Sequence, residues 1–251
     1  MSMTENAANI ALCNQSLGLL GATDIVLNGT TQNHVYCTTF FDDARDEILV
    51  AHRWNFAKKR AYAIQTTNPL FGYDNAFTPP SDNLKILQIE QDNTAEFEVE
   101  NALIITNEGS APGRWVTATA YLAGEYISSD TSGADLTYLV DTAFTSSTEA
   151  TDIASYCTST GGDYTTLEVE YIYQHSTIST WPVYAKQCFV LNLARLLCSP
   201  IKQDEQVAGN LQAMLYGSSK QIGYLNTARS LDAQEGGAMQ IKTQTWIDAR
   251  K

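Results

Sequence analysis

The sequence predicts an α+β fold: helices from both chain ends form a helical bundle, around a central antiparallel β region that carries an inserted small β module. Three observations predict it. Near both ends, apolar residues recur at three- and four-residue spacing, the period of a helix with one buried face. Between about residues 60 and 173 the period shortens toward two, which marks half-buried strands. Inside that stretch, residues 112–164 change composition to Thr, Ser, Ala, Gly and Tyr, as an insertion would. The predicted organisation is a core of residues 1–111 plus 165–230, a module at 112–164 and an extended tail at 231–251.

Each element follows from a local signal. Thr4 is placed to cap a first helix over 4–20, in which Ala7, Ile10, Cys13, Leu17 and Leu20 share a face. Gly21 ends it, because glycine takes a left-handed position at little cost. After the polar loop Asn28 to Asn33, a second helix is expected over 33–53, with Cys37, Phe40, Phe41, Ala44, Ile48 and Leu49 on its apolar side. Weak alternation over 60–66 gives way to a loop punctuated by Pro69, Gly72, Pro79 and Pro80. Strands follow at 84–89, 96–100, 103–106 and 167–173, and the two-residue link Asn101-Ala102 predicts a hairpin.

In the inserted module, turns at Gly124, Ser132-Gly133 and Gly161-Gly162 separate short strands at 121–123 and 138–140. Trp181 and Pro182 open a helix whose buried stripe is Ala185, Phe189, Leu193, Leu196 and Leu197. Pro200 is expected to close it. A last long helix is predicted over 203–229, and Gly236-Gly237 belongs to the tail.

Composition bounds the function. With 44% hydrophobic and 10% aromatic residues in 251, there is enough apolar surface for a real core. No run approaches the roughly 20 apolar residues of a membrane-spanning helix, so no membrane insertion is expected. Met1 to Asn6 lacks the basic and apolar parts of a secretory signal, which predicts a chain kept on the cytosolic side of its producing cell. Fifteen basic against 28 acidic residues give a net charge of −13, which argues against sequence-specific DNA binding. Cys13, Cys37, Cys157, Cys188 and Cys198 form no C-x-x-C pair and read as free thiols. His34, His52 and His175 lack metal-ligand spacing, and neither a P-loop nor a dinucleotide fingerprint occurs. No metal and no cofactor are predicted, and no catalytic residue.

Two clusters remain. Glu96, Glu98 and Glu100, like Glu168 and Glu170, share one face of a strand and read as the solvent side of a half-buried sheet. Arg53, Lys58, Lys59 and Arg60 interleave with Trp54 and Phe56. The aromatics there suit a core anchor or a subunit contact better than stacking on single-stranded nucleic acid.

The order of several motifs carries a family resemblance. Ala11-Leu12-Cys13-Asn14-Gln15-Ser16-Leu17-Gly18-Leu19-Leu20-Gly21 precedes Phe41-Asp42-Asp43-Ala44-Arg45-Asp46-Glu47-Ile48-Leu49, then Arg53-Trp54-Asn55-Phe56-Ala57. Pro79-Pro80-Ser81-Asp82-Asn83-Leu84-Lys85-Ile86-Leu87 follows. In the C-terminal half come Val169 to Ile172, Ser179 to Tyr184, Leu191 to Leu197 and Ala228-Arg229-Ser230-Leu231-Asp232-Ala233-Gln234-Glu235. This series resembles the tail tubular protein A family of short-tailed bacteriophages, the head-to-tail adaptors, over residues 7–110 and 165–236.

The resemblance implies a structural virion protein and not an enzyme. It implies a homo-oligomeric ring of about twelve copies, assembled in the host cytoplasm and placed in the virion tail between the portal protein and a tail nozzle like tail tubular protein B. The ring would continue the DNA channel for genome ejection, with the acidic surplus repelling phosphate so that DNA passes without sequence-specific binding. Subunit or portal contacts would fall on Arg53, Trp54, Asn55, Phe56, Trp181, Leu231 and Trp246. The module resembles small modules of phage tail proteins and chitin-binding domains, which implies contact with a tail fibre or glycan through Tyr121, Tyr126 and Tyr138. A cell-wall or capsule hydrolase using Glu98, Glu100, Glu168 or Glu170 and a glycan-binding tail component stay open as alternatives.

Overall fold

The computed structural model describes residues 3, 5–91, 94–131, 134–219 and 221–235. It is a mixed α+β protein, 40% helix and 25% strand, with antiparallel sheets. The first part of the chain holds α1 (Ala7–Leu20), α2 (Gln32–Val50), a 3-10 turn at Asn55–Ala57, β1 (Lys58–Gln65), β2 (Asn75–Thr78) and β3 (Asn83–Ile89). Next come β4 (Phe97–Glu100), β5 (Leu103–Thr106), β6 (Ala120–Tyr121), β7 (Tyr126–Ser129), β8 (Leu136–Val140) and β9 (Phe144–Thr145). Then follow α3 (Glu149–Tyr156), β10 (Cys157–Ser159), β11 (Thr166–Tyr173) and a 3-10 turn at Ile178–Thr180. The chain continues through α4 (Val183–Ile201), α5 (Glu205–Tyr216), β12 (Gly217–Ser218), β13 (Gln221–Ile222) and α6 (Tyr224–Glu235). Contacts divide it into two units, Met1–Ala57 with His175–Lys251, and Lys58–Gln174. Residues 112–164 belong to the second unit, with the sheet.

In the first unit, α1 begins where Asn6 accepts a hydrogen bond from the Asn9 amide at 2.8 Å, satisfying one of the donors a helix start leaves free. Thr4, the expected cap, lies outside the described residues. Gly21 closes α1 at φ 61°. The second helix stops at Val50, three residues before its expected end. The chain turns there so that Trp54 is buried and its indole N–H donates to the Ile48 carbonyl at 2.7 Å. Cys37, Phe41, Ala44, Ile48 and Leu49 of α2 and Ala185, Phe189, Leu193 and Leu197 of α4 are buried, while Phe40 and Leu196 are half-buried. Each fully buried large apolar side chain stabilises by about 1.5–3 kcal/mol. Buried Asn192 ties the two helices by donating to the Ala44 carbonyl at 3.1 Å.

The single helix predicted over 203–229 is corrected to two, α5 and α6, with the β12–β13 hairpin between them. Gly217 sits at φ 96°, and Gly223 passes so close to the backbone of Tyr216 and Gly217 that no side chain fits there. Buried Leu211, Leu215, Leu225 and Ala228 on both sides of the break mimic one continuous helical stripe. Of the predicted tail, residues 231–235 are helical, and 236–251 lie outside the described residues.

In the second unit, a six-stranded antiparallel sheet runs in the order β3-β11-β1-β2-β5-β4. Its longest pairing, β1 with β11, places Lys58 opposite Ile172, Arg60 opposite Glu170 and Tyr62 opposite Glu168. Ala63, Phe77, Ile104, Leu167, Val169 and Tyr171 build a core on one face. Asn101 and Ala102 both take positive φ, 48° and 61°, as the primed two-residue turn of the expected hairpin requires. β2 escapes the pattern because four residues between proline and glycine breaks are too few to show a period.

The inserted module has β7, β8 and β10 in one sheet and β6 with β9 in another, around Tyr121, Ile127, Tyr138, Val140 and Ile153. Its helix α3 was not expected. Buried Asp152 accepts from the Ser147 and Thr148 amides at 2.6 and 3.1 Å, so an acid inside the helix satisfies donors ahead of it. The Ser132-Gly133 turn lies outside the described residues.

Candidate functional site

The first unit gathers residues from three distant segments into one buried knot. Its centre is Asp232 on α6, 1% exposed. The Asn55 amide donates to its two carboxylate oxygens at 3.0 and 3.2 Å, and the Asn55 side-chain amide donates to the Asp232 carbonyl at 2.7 Å. The Tyr184 hydroxyl, from the first turn of α4, lies 3.1 Å from both Asp232 Oδ1 and Glu235 Oε2. His52 Nε2 stands 3.4 Å from Asp232 Oδ2, and Arg229 donates to the Ala51 carbonyl at 2.7 Å. A carboxylate this deeply buried is tolerated only with such donors around it.

Aromatic rings wrap the polar centre. Trp54 stands 4.8 Å from His52, 5.7 Å from Phe56 and 6.2 Å from Tyr184. Phe56 contacts Trp181 at 5.3 Å and His175 at 6.2 Å. Trp181 in turn meets Phe189, which packs on Phe41. Burial pulls His52 below its ordinary value of 6.5, against the opposing charge of Asp232, and burial does the same to His175. The Tyr184 hydroxyl is pushed up, first by burial and then by Asp232. The chain leaves this unit after Ala57 and returns at His175, so Phe56 and His175 bring the two crossings side by side.

The predicted contact residues therefore divide. Trp54 and Trp181 are 0% and 2% exposed, which is a correction: their rings fill the knot rather than a surface. Asn55 and Phe56 are half-buried and face the same cluster, while Arg53 is exposed. Leu231 is 42% exposed on α6, and Trp246 lies outside the described residues. Asp232, Tyr184, Arg229 and His52 were missed as participants. No sequence rule pairs Asn55 with a residue 177 positions away.

The second unit opens a cleft of about 950 Å³ on the sheet face opposite its core, with the turn Leu122 to Glu125 at its lip. Across it run the rows Arg60–Glu170–Gln88 and Tyr62–Glu168. Arg60 Nε and Nη2 donate to Glu170 at 3.0 Å, and Gln91 donates to Glu168 at 2.6 Å. Asp82 accepts from Lys59 at 2.7 Å and from Tyr171 at 2.8 Å, and these bonds hold its pKa low although burial pushes the other way. The Tyr62 hydroxyl is raised by burial and then by Glu168, Glu125 and Glu90. Two cations face four carboxylates in this lining, so it is no cradle for phosphate.

Glu168 and Glu170 thus line this cleft, whereas Glu98 and Glu100 are exposed on the edge strand β4. Of the tyrosines named for fibre or glycan contact, Tyr121 and Tyr138 are corrected in the same sense. Tyr121 and Tyr138 are 8% and 7% exposed in the module core, and Tyr126 is half-buried with its hydroxyl raised by burial. Tyr121 and Tyr138 fill a small core, while Tyr126 alternates with buried Ile127 along β7 and lies outside that core. Among the described residues, no group of three or more His, Cys, Asp or Glu could hold a metal ion, and no helix is long and apolar enough to cross a membrane. Compared with known proteins, the chain matches no family model and no curated protein.

Proposed function

We propose that this chain is a structural virion subunit, a head-to-tail adaptor that assembles as a ring of about twelve copies between the portal and the tail nozzle. One observation carries the reading. The segments quoted for the resemblance, Arg53 to Ala57, Trp181 to Tyr184 and Ala228 to Glu235, are each weak alone, yet they meet in one buried network centred on Asp232. Their meeting in one knot gives these segments a shared structural role that local periodicity does not require. In this reading Trp54 and Trp181 shape the adaptor core, and Glu168 and Glu170 serve the sheet surface rather than catalysis.

Two features support assembly. Val26, Val183 and Ile222 of the first unit are 68%, 69% and 78% exposed, and Leu70 and Phe71 of the second are 98% and 87% exposed. Leu70 and Phe71, adjacent in the chain, are the exposed apolar pair that contact with another chain would cover. The net charge of −13 per chain suits a channel that lets DNA slide. Native mass spectrometry of the chain, alone and mixed with the portal protein of the same genome, tests the proposal. A portal complex that gains a fixed ring of copies is the expected result. A chain that stays monomeric and ignores the portal overturns it.

A further inference from the structure

The six-stranded sheet ends in β4, which has β5 on one side and, among the described residues, no strand on the other. The pairs Glu98–Ile105 and Glu100–Leu103 follow from the two-residue turn and exchange hydrogen bonds. Phe97 and Val99 therefore point their backbone N–H and C=O groups outward along the open edge. An edge of this kind is a template for another strand unless something blocks it.

The side chains of that edge specify what would fit. Phe97 is half-buried against the sheet core, and Val99 next along the same face is 53% exposed, so the apolar face stops short. Glu98 and Glu100 stand exposed on the opposite face, with Tyr73 held against Glu98. Leu70 and Phe71 lie on the same loop as Tyr73. A complementary strand would carry apolar residues at alternate positions, and a cation with an aromatic ring at the positions between.

Residues 239–247, which lie outside the described residues, have that pattern in sequence. Met239, Ile241, Thr243, Thr245 and Ile247 fall on one parity, and Gln240, Lys242, Gln244 and Trp246 on the other. Lys242 is the charged residue of that segment, and with Asp248, Arg250 and Lys251 after it the stretch 239–251 is basic in an acidic chain. The other open edge, β3, exposes Lys85 and would repel it.

We propose that residues 239–247 of a second copy add as a strand to the open edge of β4, with Lys242 facing Glu98 and Glu100 and the apolar parity continuing the Phe97–Val99 face. The inference rests on the ring reading and gives it a donor and an acceptor. Such a contact is heterologous, joining different patches of the two copies, and is the kind that closes into rings.

A disulfide trap tests it in the full chain carrying Cys157→Ser. One preparation carries Val99→Cys, and the other carries Ile241→Cys, Thr243→Cys or Thr245→Cys, residues of the parity assigned to the Val99 face, to cover neighbouring registers. The two are mixed, assembled on the portal and oxidised, with each variant alone as control. The expected result is a covalent heterodimer at one register. It is lost when the donor also carries Lys242→Glu and regained when the acceptor carries Glu98→Lys and Glu100→Lys. If mass spectrometry shows the ring while no register gives a heterodimer, strand addition is overturned and the adaptor reading stands. If Lys242→Glu leaves the yield unchanged, the assigned charge contact is overturned. If no ring forms at all, the adaptor reading and this inference fall together.

Discussion

Asp232 in the helical unit and Glu170 in the sheet unit are both carboxylates with named donors, yet their settings are opposite. Asp232 is 1% exposed and faces Asn55, Tyr184 and His52 inside a wall of rings. Glu170, its side chain 17% exposed in the cleft, meets Arg60, whose guanidinium side chain is 72% exposed. Water reaches the second pair from the arginine side and screens it there. In the first, loss of the Asp232 carboxylate strips the half-buried Asn55 amide of its acceptor and leaves the Tyr184 hydroxyl with Glu235 alone. The comparison teaches which changes should report on folding and which on binding. Substitutions in the knot should move stability, and substitutions on the sheet face should leave it nearly untouched.

The largest effect is expected from Trp54→Ala. It removes a fully buried ring that touches His52, Phe56 and Tyr184 and should cost about 3–5 kcal/mol in urea unfolding. A loss under about 1 kcal/mol would mean that the knot is not packed as described. Asp232→Ala comes next, at about 2–3 kcal/mol, because the Asn55 amide loses its acceptor and the Tyr184 hydroxyl keeps only Glu235. Asp232→Asn keeps an acceptor oxygen and should recover part of that loss, which a paired thermal melt would read.

Acid should separate the two units more gently. Folding lowers the pKa values of His52 and His175, so the folded chain binds fewer protons than the unfolded one between those lowered values and 6.5. Stability from these groups is present above about pH 6.5 and is lost as pH falls through the folded values. Asp82 of the sheet unit is also lowered, from 3.8, so its contribution is lost only at more acidic pH. Unfolding at about pH 7.5 and about pH 5.5, followed by tryptophan fluorescence, should therefore show the helical unit weakening first. His175→Gln should flatten that difference.

The smallest effects belong to the cleft. Arg60→Ala or Glu168→Gln should change stability by no more than about 0.5–1 kcal/mol. A larger loss in either would erase the contrast between the two units.

Much of the fold was legible because local physics sets it. Gly21 marks the end of α1, Asn101-Ala102 accepts the positive φ of its turn, and the stripe Ala185, Phe189, Leu193 and Leu197 has helical spacing. The candidate knot was legible only as separate fragments. Trp54 and Trp181 stood out as aromatic, but exposure and burial look the same in a sequence when an anchor sits beside cations. Helix α3 hid in a Ser- and Thr-rich stretch because its capping acid, Asp152, lies inside the helix rather than before it.

By itself, the sequence determined the fold class, the end of α1, the strands β3, β4, β5 and β11 and the net charge, since periods, turns and ionisable groups act over a few residues. Only the tertiary structure decided the pairing of Asn55 with Asp232, the β1–β11 register and the break at Gly217 to Gly223. Those depend on contacts between residues brought together by the whole chain, and on space so tight around Gly223 that only the folded backbone reveals it.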